Sequence, residues 1–311
     1  MNREQLYEIA ERYVTTTPYN LVGPHFSDAE GYYGMTIYNS PLMSIMEADD
    51  PLFESLLDPK VVGPHMLMPR EWLPEAKSVV AFFLPATKWI KRGNTRDPLY
   101  ASKEWLFGRT DANLICLSLA ETVCAALQKD GYKTCIPQDD PRFILRSAAR
   151  NGINDATLKE LGLGKAYHNY ERKTFFSAKA SDFPVYNSNW SERHVAYVCG
   201  LGTFGISTNL ITKAGTTGRF ISLVTDWVPE HYDRRDYTDW MEYCNRCGAC
   251  IKRGPACSFG MDGKDKMKCH DYVESVGFYA VPRYGCGKCQ TGIPCEDGIP
   301  QKINRERDDR Q

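Results

Sequence analysis

Cysteine is the residue type whose spacing most directly suggests chemistry in this sequence of 311 residues. Eight of the 12 cysteines lie in one stretch near its end, in the order Cys244, Cys247, Cys250, Cys257, Cys269, Cys286, Cys289 and Cys295. The first three are separated by two residues each, which is typical of thiolates that wrap an iron–sulfur cluster in one loop. Structural zinc is the alternative, but zinc sites use paired cysteine knuckles and rarely three in succession. The spacing therefore favours two [4Fe–4S] clusters over zinc.

The ligands of each cluster follow from a rule of two-cluster ferredoxins, in which the last cysteine of one run binds the other cluster. The rule predicts one cluster on Cys244, Cys247, Cys250 and Cys295. It predicts the second cluster on Cys257, Cys269, Cys286 and Cys289. Two neighbouring clusters are suited to moving single electrons, so we expect this segment to transfer electrons. Four cysteines remain, and we expect them to pack in the core: Cys116, Cys124, Cys135 and Cys199.

The overall charge is nearly neutral, with 38 Lys and Arg against 39 Asp and Glu. This balance gives no support for a nucleic-acid-binding protein, which usually carries a basic excess. The first residues lack the apolar segment of a secretory signal and a twin arginine. No apolar run approaches the ~20 residues that a membrane span needs. We therefore expect a cytoplasmic location without a membrane, where thiols stay reduced.

The residues before the cysteines carry the patterns of regular secondary structure. Apolar spacing predicts a helix over residues 2–13, and the apolar run Ser78–Leu84 has the length of a strand. The strongest pattern predicts a buried helix from Asp111 to Asp130, with Asp111 as its N-cap and Gly131 ending it. Tyr132–Ile136 is expected to be a strand.

The following part predicts a helix over Glu192–Val198, capped by Ser191, and then two strands within Asn209–Asp226 joined by a glycine-containing turn. Beyond Asp239 the composition changes to cysteine, glycine and lysine. We therefore predict a domain over residues 1–238, a cluster-binding domain over residues 239–300 and a charged tail over residues 301–311.

A glycine motif lies between these elements. Gly200, Gly202 and Gly205 match G-x-G-x-x-G, and Asp226 follows at a distance that a dinucleotide site would use. Such a site needs a strand before the glycines and a helix after them. Here a helical pattern precedes and a strand pattern follows, so the order is reversed. We expect instead a tight turn where the backbone closely approaches another group.

Together, the segment Ser191–Asp226, the eight-cysteine array and the KCHDYVES segment around Cys269 resemble the epoxyqueuosine reductase family. That family belongs with the reductive dehalogenases in a cobalamin-dependent, iron–sulfur superfamily. The resemblance implies an α/β (α+β) fold, in which a nitroreductase-like cobalamin-binding module precedes a C-terminal ferredoxin-like module with two [4Fe–4S] clusters. The chain departs from the family where Cys257 and Cys295 follow longer insertions and precede Ser258 and Glu296 rather than proline.

The resemblance also implies site residues. It places cofactor binding on the glycine segment, at Gly200, Gly202, Thr203, Gly205 and Asn209. Tyr186 stands where epoxyqueuosine reductases have an acidic aspartate, and reductive dehalogenases use a tyrosine in that role. Tyr186 is therefore a candidate proton donor, with aromatic packing as the alternative. His194 is a candidate acid or cofactor contact, with a packed core histidine as the alternative.

The implied function is a cobalamin- and iron–sulfur-dependent reductase that removes a halide or an oxygen from a small molecule. Its clusters would receive electrons from an external low-potential donor of the ferredoxin or flavodoxin type. The alternative is an electron-transfer protein that reduces a corrinoid partner protein; a flavin-dependent nitroreductase joined to a ferredoxin is a third interpretation. The near-neutral charge, and the end of the sequence soon after Cys295 without a helical-repeat extension, argue against a tRNA substrate.

Overall fold

The computed structural model describes residues 1–146, 187–261, 263–280 and 283–302. Its α-helices are α1 (Arg3–Thr16), α2 (Leu52–Ser55), α3 (Pro69–Trp72), α4 (Lys88–Thr95), α5 (Lys103–Leu106), α6 (Asn113–Lys129), α7 (Glu192–Val198), α8 (Ala249–Arg253) and α9 (Lys266–Val276). Its strands are β1 (Leu42–Glu47), β2 (Ser78–Pro85), β3 (Thr134–Cys135), β4 (Leu145–Arg146), β5 (Asn187–Ser188), β6 (Gly202–Phe204), β7 (Leu210–Thr212), β8 (Gly218–Thr225), β9 (Phe259–Gly260) and β10 (Gly263–Lys264). A π turn, Phe107–Asp111, leads into α6.

A four-stranded antiparallel sheet forms the centre of the fold, in the order β1-β2-β8-β3. Strand β2 is central and buried along its whole length, as its β-branched and aromatic residues favour. Its register pairs Ser78 with Thr225 and Pro85 with Gly218 on β8. The apolar run that predicted a strand therefore forms the middle of the sheet. The fold is mixed, with helices and antiparallel strands, in agreement with the expected α/β (α+β) class.

The two faces of the sheet carry separate hydrophobic clusters, because successive side chains of a strand point to opposite faces. On one face, Phe82 packs in a cluster with residues of α1 and α6, such as Leu6 and Leu119. On the other face, Phe83 packs in a cluster with Trp190, which precedes α7, and with Val195 within α7. The sheet is thus a middle layer, and α7 with the following glycine segment lies on the second face.

The helix predicted over Asp111–Asp130 is present, but its N-cap prediction is wrong. Ala112 occupies the N-cap position of α6, and the carboxylate of Asp111 accepts hydrogen bonds from Arg283 instead. At the other end, Gly131 has a φ of +88°, a conformation that glycine adopts without strain. The role of Asp111 therefore depends on an arginine that is far away in the sequence, and a local sequence pattern cannot predict such a contact.

The helical stretch Lys103–Lys129 is long and apolar enough to cross a membrane by length and composition, which the sequence reading did not expect. Seven residues of α6 are buried, and the helix packs against α1, β3 and β8. The core helices of soluble proteins meet the same criterion, so this stretch is weak evidence for a span.

The two strands predicted within Asn209–Asp226 are present as β7 and β8. Strand β7 pairs with β6 in a separate two-stranded sheet, whereas β8 joins the central sheet. This pairing matters for the site, because the β6–β7 hairpin places Gly205 near Cys244 and Asn209 near Cys289.

The cysteine segment is attached to the rest of the chain by long-range contacts. The backbone N–H of Thr216 donates to the carbonyl of Cys295 at 2.9 Å. The guanidinium of Arg283 pairs with Asp111, with 2.6 Å between Nε and Oδ2. These bonds hold the predicted cluster-binding residues against the β7–β8 connection and the start of α6.

Candidate active site

A cavity of about 1700 Å³ lies between α7, the β6–β7 hairpin, β8 and the cysteine segment. Pockets for drug-sized ligands are usually about 300–1,000 Å³, so this space is large enough for a bulky cofactor together with a substrate. Its described lining includes Gly205 and Asn209 from the glycine segment and Cys269, Cys286 and Cys289 from the cysteine segment. Residues from both predicted functional segments therefore meet at one cavity.

The first part of the glycine segment shapes the backbone. Gly200 has a φ of +90° directly after α7, and a Cβ on Gly202 would lie 2.0 Å from the carbonyl oxygen of Ile211. The hydroxyl of Thr203 accepts a hydrogen bond from the backbone N–H of Tyr243 at 2.8 Å. None of these three predicted cofactor-binding residues is among the described lining residues of the cavity. These residues instead form a tight turn and a closely packed hairpin. The order of helix, turn and strand excludes a dinucleotide-binding site at these glycines.

The second part of the glycine segment reaches the cavity. A Cβ on Gly205 would lie 3.6 Å from Sγ of Cys244, so this position is within van der Waals contact of the first cysteine group. The side chain of Asn209 donates to Sγ of Cys289 at 3.6 Å and accepts from Gln290 Nε2 at 2.9 Å. Asn209 also accepts from Arg193 Nη1 at 3.3 Å. Asn209 therefore connects α7 and the hairpin to the second cysteine group.

The four predicted ligands of the first cluster lie near one another. Burial raises the pKa of Cys295, and together with the neighbouring thiols of Cys244, Cys250 and Cys247 it brings this pKa to about 12. Burial likewise raises the pKa of Cys250 to about 11, followed by the influence of Cys289 and then of the other thiols of its group. The effect of Cys289 on Cys250 indicates that the two cysteine groups are themselves close.

Three of the four predicted ligands of the second cluster also lie together. Burial, followed by the smaller effects of Cys289 and Cys269, raises the pKa of Cys286 to about 11. Cys257 is exposed, and its Sγ lies 3.9 Å from the carbonyl oxygen of Pro255. Within the described part of the chain, no three His, Cys, Asp or Glu side chains form a ready-made metal site. The two ligand sets therefore stay predictions. Cys257 is the predicted ligand with the least geometric support.

A buried lysine that the sequence reading missed stands beside the second cysteine group. Lys288 is fully buried, and its Nζ donates to the backbone carbonyl of Asn94 at 2.8 Å. Burial lowers the pKa of Lys288 to about 8, and the adjacent Cys286 acts in the opposite direction. A cation at this position would offset the negative charge of thiolate ligands. Its place between two cysteines, in the sequence Cys286-Gly-Lys-Cys289, was the available signal.

Of the two candidate catalytic residues, Tyr186 lies outside the described residues and His194 lines the cavity. Burial lowers the pKa of His194 to about 3, and the charge of Arg193 acts in the same direction. Its Nδ1 lies 2.7 Å from Oγ of Ser191, which therefore contacts the ring rather than capping α7. A histidine that is neutral near pH 7 carries no extra proton to donate, so this geometry favours the contact role over the acid role.

A carboxyl group that sequence reasoning did not select also lines the cavity. Glu192 is the first residue of α7, and its Oε2 accepts a hydrogen bond from Oγ of Ser222 at 2.7 Å. Burial raises the pKa of Glu192 to about 8. A glutamate after a serine at a helix start is an ordinary capping pattern, so the sequence offered no signal of this environment.

Comparison with known proteins identifies the fold. No protein-family profile and no curated protein matches the chain by sequence. The structure of an epoxyqueuosine reductase superposes with a TM-score of 0.50, covering 97% of this chain and 68% of that protein at 14% identity. The chain has the fold of this epoxyqueuosine reductase. The resemblance seen in the sequence is thereby confirmed at the level of the fold.

Two further solved structures, one of an epoxyqueuosine reductase and one of a reductive dehalogenase, are similar to the structure of this chain. An epoxyqueuosine reductase solved with an epoxyqueuosine-modified tRNA stem loop has a TM-score of 0.48 at 14% identity, covering 96% of this chain and 68% of its own. A catabolic reductive dehalogenase solved with 3-bromo-4-hydroxybenzoic acid has a TM-score of 0.49 at 12% identity, covering 95% and 37%. The chain thus spans about two thirds of the epoxyqueuosine reductase and little more than a third of the dehalogenase.

Proposed function

We propose that this chain is an oxidoreductase in which two [4Fe–4S] clusters supply electrons to a cobalamin held in the cavity, for reductive removal of a halide or an oxygen from a substrate. The observation that most directly supports this proposal is that one cavity is lined by residues of both segments: Cys269, Cys286, Cys289, Gly205 and Asn209. Electrons held at the second cysteine group would need to cross only a short distance to reach a molecule in that space. The nitroreductase-like and ferredoxin-like modules, and the boundary after residue 238, are part of this proposal.

The residues present fit both kinds of cofactor. The eight cysteines supply soft thiolate ligands, which iron–sulfur clusters require. Lysines and arginines outnumber carboxylates among the described lining residues, including Arg193, Arg219, Lys264, Lys266 and Lys288. This excess would attract anionic groups and offset the charge of thiolate-ligated clusters. When bound, cobalamin would supply a metal centre able to take up electrons and react with the substrate.

The order of the two cysteine groups suggests a direction for electron flow. The described cavity lining includes cysteines of the second group, whereas Cys244 borders a separate surface depression of about 440 Å³ and Cys247 is exposed. We infer that electrons enter from an external low-potential donor of the ferredoxin or flavodoxin type at the first group. They then leave for the cavity from the second group, whose Cys289 is held by Asn209.

A cavity of this size supports an enzyme over the alternative of an electron carrier for a corrinoid partner protein, because a carrier needs only an exposed cluster edge. A small-molecule substrate remains our proposal, and the cytoplasm our proposed location. The expectation that tRNA is not a substrate is open to challenge, because a protein named as an epoxyqueuosine reductase has been solved with a modified tRNA stem loop. Both substrate classes therefore belong in the test.

The test is anaerobic reconstitution with iron, sulfide and cobalamin, followed by metal analysis and electron paramagnetic resonance. We expect about eight irons and one cobalt per chain, and turnover with a reduced viologen as electron donor. Bromide release from 3-bromo-4-hydroxybenzoic acid tests dehalogenation, and loss of the epoxide from an epoxyqueuosine-modified stem loop tests the tRNA alternative. Cys289→Ser should reduce iron content and turnover, whereas Cys124→Ser, a buried cysteine of α6, should not. A reconstituted protein that retains no corrinoid would refute the proposal.

A further inference from the structure

We propose that Glu192 is the group that delivers a proton to the reduced substrate. This inference rests on the proposed reductase function and adds a residue that the family resemblance did not supply. Glu192 lies at the start of α7 and lines the same cavity as Asn209. Glu192 is therefore part of the surroundings that a molecule bound in the cavity would meet.

The hydrogen bonds around Glu192 determine which of its oxygens can carry a proton. The indole Nε1 of Trp190 donates to Oγ of Ser222 at 2.9 Å, and an indole can only donate. The single hydrogen of the Ser222 hydroxyl is then directed to Oε2 of Glu192 at 2.7 Å. Because Oε2 acts as an acceptor, a proton on this carboxyl group belongs on Oε1.

The second oxygen of Glu192 lacks a hydrogen-bond partner among the described residues. Oε1 of Glu192 is buried and has no hydrogen-bond partner within the described part of the chain. A buried polar atom without a partner is costly, and such atoms are common where a ligand completes the hydrogen bonding. A substrate in the cavity would accept the hydrogen bond from Oε1, and protonation would follow the same path.

Burial keeps the proton on this carboxyl group. It raises the pKa of Glu192 to about 8, against the smaller opposing effect of the Ser222 hydrogen bond. A pKa near the working pH suits a group that must both hold and release a proton. On α7 itself, His194 stays neutral because burial lowers its pKa to about 3, while burial lowers the pKa of Arg193 and raises the pKa of Tyr197. Directly after the helix, burial raises the pKa of the Cys199 thiol.

The elements packed against α7 contribute few competing groups. Strand β8 presents the cation Arg219, α2 carries the exposed Glu54, and β2 and β6 contain no titratable residue. On α6, the thiol of Cys116 is influenced by Glu192, and burial raises its pKa to about 12. Among these described neighbours, Glu192 is thus the group that changes charge near neutral pH.

The proton balance of the two candidate reactions is simple. Removal of a halide follows R–X + 2 e⁻ + H⁺ → R–H + X⁻: the carbon–halogen bond breaks, a carbon–hydrogen bond forms, and Glu192 supplies the proton. Removal of an epoxide oxygen uses two electrons and two protons and yields an alkene and water, with Glu192 supplying one proton. The electrons come from the external low-potential donor, and solvent returns the proton to the carboxylate.

The first test reads the protonation state directly, without turnover. Infrared difference spectra of the reconstituted protein over a pH series should show a carboxyl C=O band that disappears with a midpoint of about 8. Glu192→Gln should remove the band while preserving the acceptor for Ser222. Glu8→Gln, an exposed position on α1, should leave it intact. Ser222→Ala should shift the midpoint to higher pH, because that hydrogen bond stabilises the carboxylate.

The second test measures bromide release from 3-bromo-4-hydroxybenzoic acid with a reduced viologen. Glu192→Gln should lower kcat by about 10²–10⁴-fold, the usual contribution of a proton donor, at unchanged iron and cobalt content. Full turnover in Glu192→Gln, or a carboxyl band that titrates below about pH 6, would overturn the donor role alone. Turnover by neither the wild type nor the variant, with the band intact, would reject the reductase function and the donor role together.

Discussion

The side-chain amide of Asn209 donates a hydrogen bond to the thiol of Cys289, with 3.6 Å between Nδ2 and Sγ. The two residues belong to different parts of the chain, and their contact joins the glycine segment to the second cysteine group. Hydrogen bonds to cluster sulfurs tune the reduction potential. A donor at this position would stabilise the reduced cluster, because reduction increases the negative charge on the sulfurs.

Replacement of Asn209 should therefore change the potential of the second cluster. We expect Asn209→Ala to lower it, and Asn209→Asp to lower it further by placing a negative charge beside Cys289. Redox titration followed by electron paramagnetic resonance measures both midpoints. Gln128→Ala, on the far helix α6, should leave them unchanged. Equal midpoints in all variants would show that the amide does not contact a cluster ligand in the loaded protein.

Cys257 provides a test of the crossed ligand sets. If it is the fourth ligand of the second cluster, Cys257→Ser should lower the iron content after reconstitution from about eight to about four per chain. Buried Cys124 is the matched control, because its serine variant alters a core thiol without touching the cysteine segment. An unchanged iron content in Cys257→Ser would mean that another group completes the second cluster.

The ion pair of Arg283 and Asp111 should be important for stability. The two side chains are only 7% and 8% exposed, and burial raises the pKa of Asp111 despite the opposing effect of Arg283. Arg283→Met leaves a buried carboxyl group without its partner, which costs about 3–5 kcal/mol of unfolding free energy. Urea denaturation measures this loss.

A matched surface pair controls for the loss of an arginine. Arg70 and Asp49 are 48% and 68% exposed, and Arg70→Met should cost less than about 1 kcal/mol. Adding Asp111→Asn to Arg283→Met should recover part of the stability, because it removes the unpaired charge. Similar losses in the two arginine variants would contradict a structural role for the buried pair.

His194 should make the protein less stable as the pH falls. Its pKa is lowered by burial from 6.5 to about 3, so between these values the unfolded chain binds a proton that the folded chain does not. The unfolding free energy must therefore fall as the pH decreases through this window. His194→Gln should flatten the dependence, measured by urea denaturation at several pH values. His231→Gln, at an exposed position, should not flatten it.

Local patterns were sufficient to predict several elements. The apolar run of β2, the spacing of α1 and the long apolar helix α6 were all recognised, because each element satisfies its own backbone hydrogen bonds or buries an obvious face. The cysteine spacing indicated cluster chemistry for a similar reason, since ligands within one loop are close whatever the fold. The reversed order around the glycines was also visible in the sequence and excluded a dinucleotide site.

Errors arose where a distant residue competed with a local preference. Asp111 was expected to cap α6, but Arg283 pairs with it across the chain. The two strands within Asn209–Asp226 were predicted without their partners, which are β6 for β7 and both β2 and β3 for β8. Strand pairing and charge pairing depend on contacts between residues far apart in sequence, and no local pattern reports them.

The sequence by itself thus determined the chemistry available to this protein: eight clustered thiols, a glycine turn and a near-neutral charge. Only the tertiary structure decided which of these groups meet. It brought Asn209 to Cys289, separated the hairpin-shaping Gly202 from the cavity-lining Gly205, and buried Glu192 beside Ser222. A pKa depends on the surroundings of a group in space, so the proton-holding carboxyl of Glu192 became visible only in the folded chain.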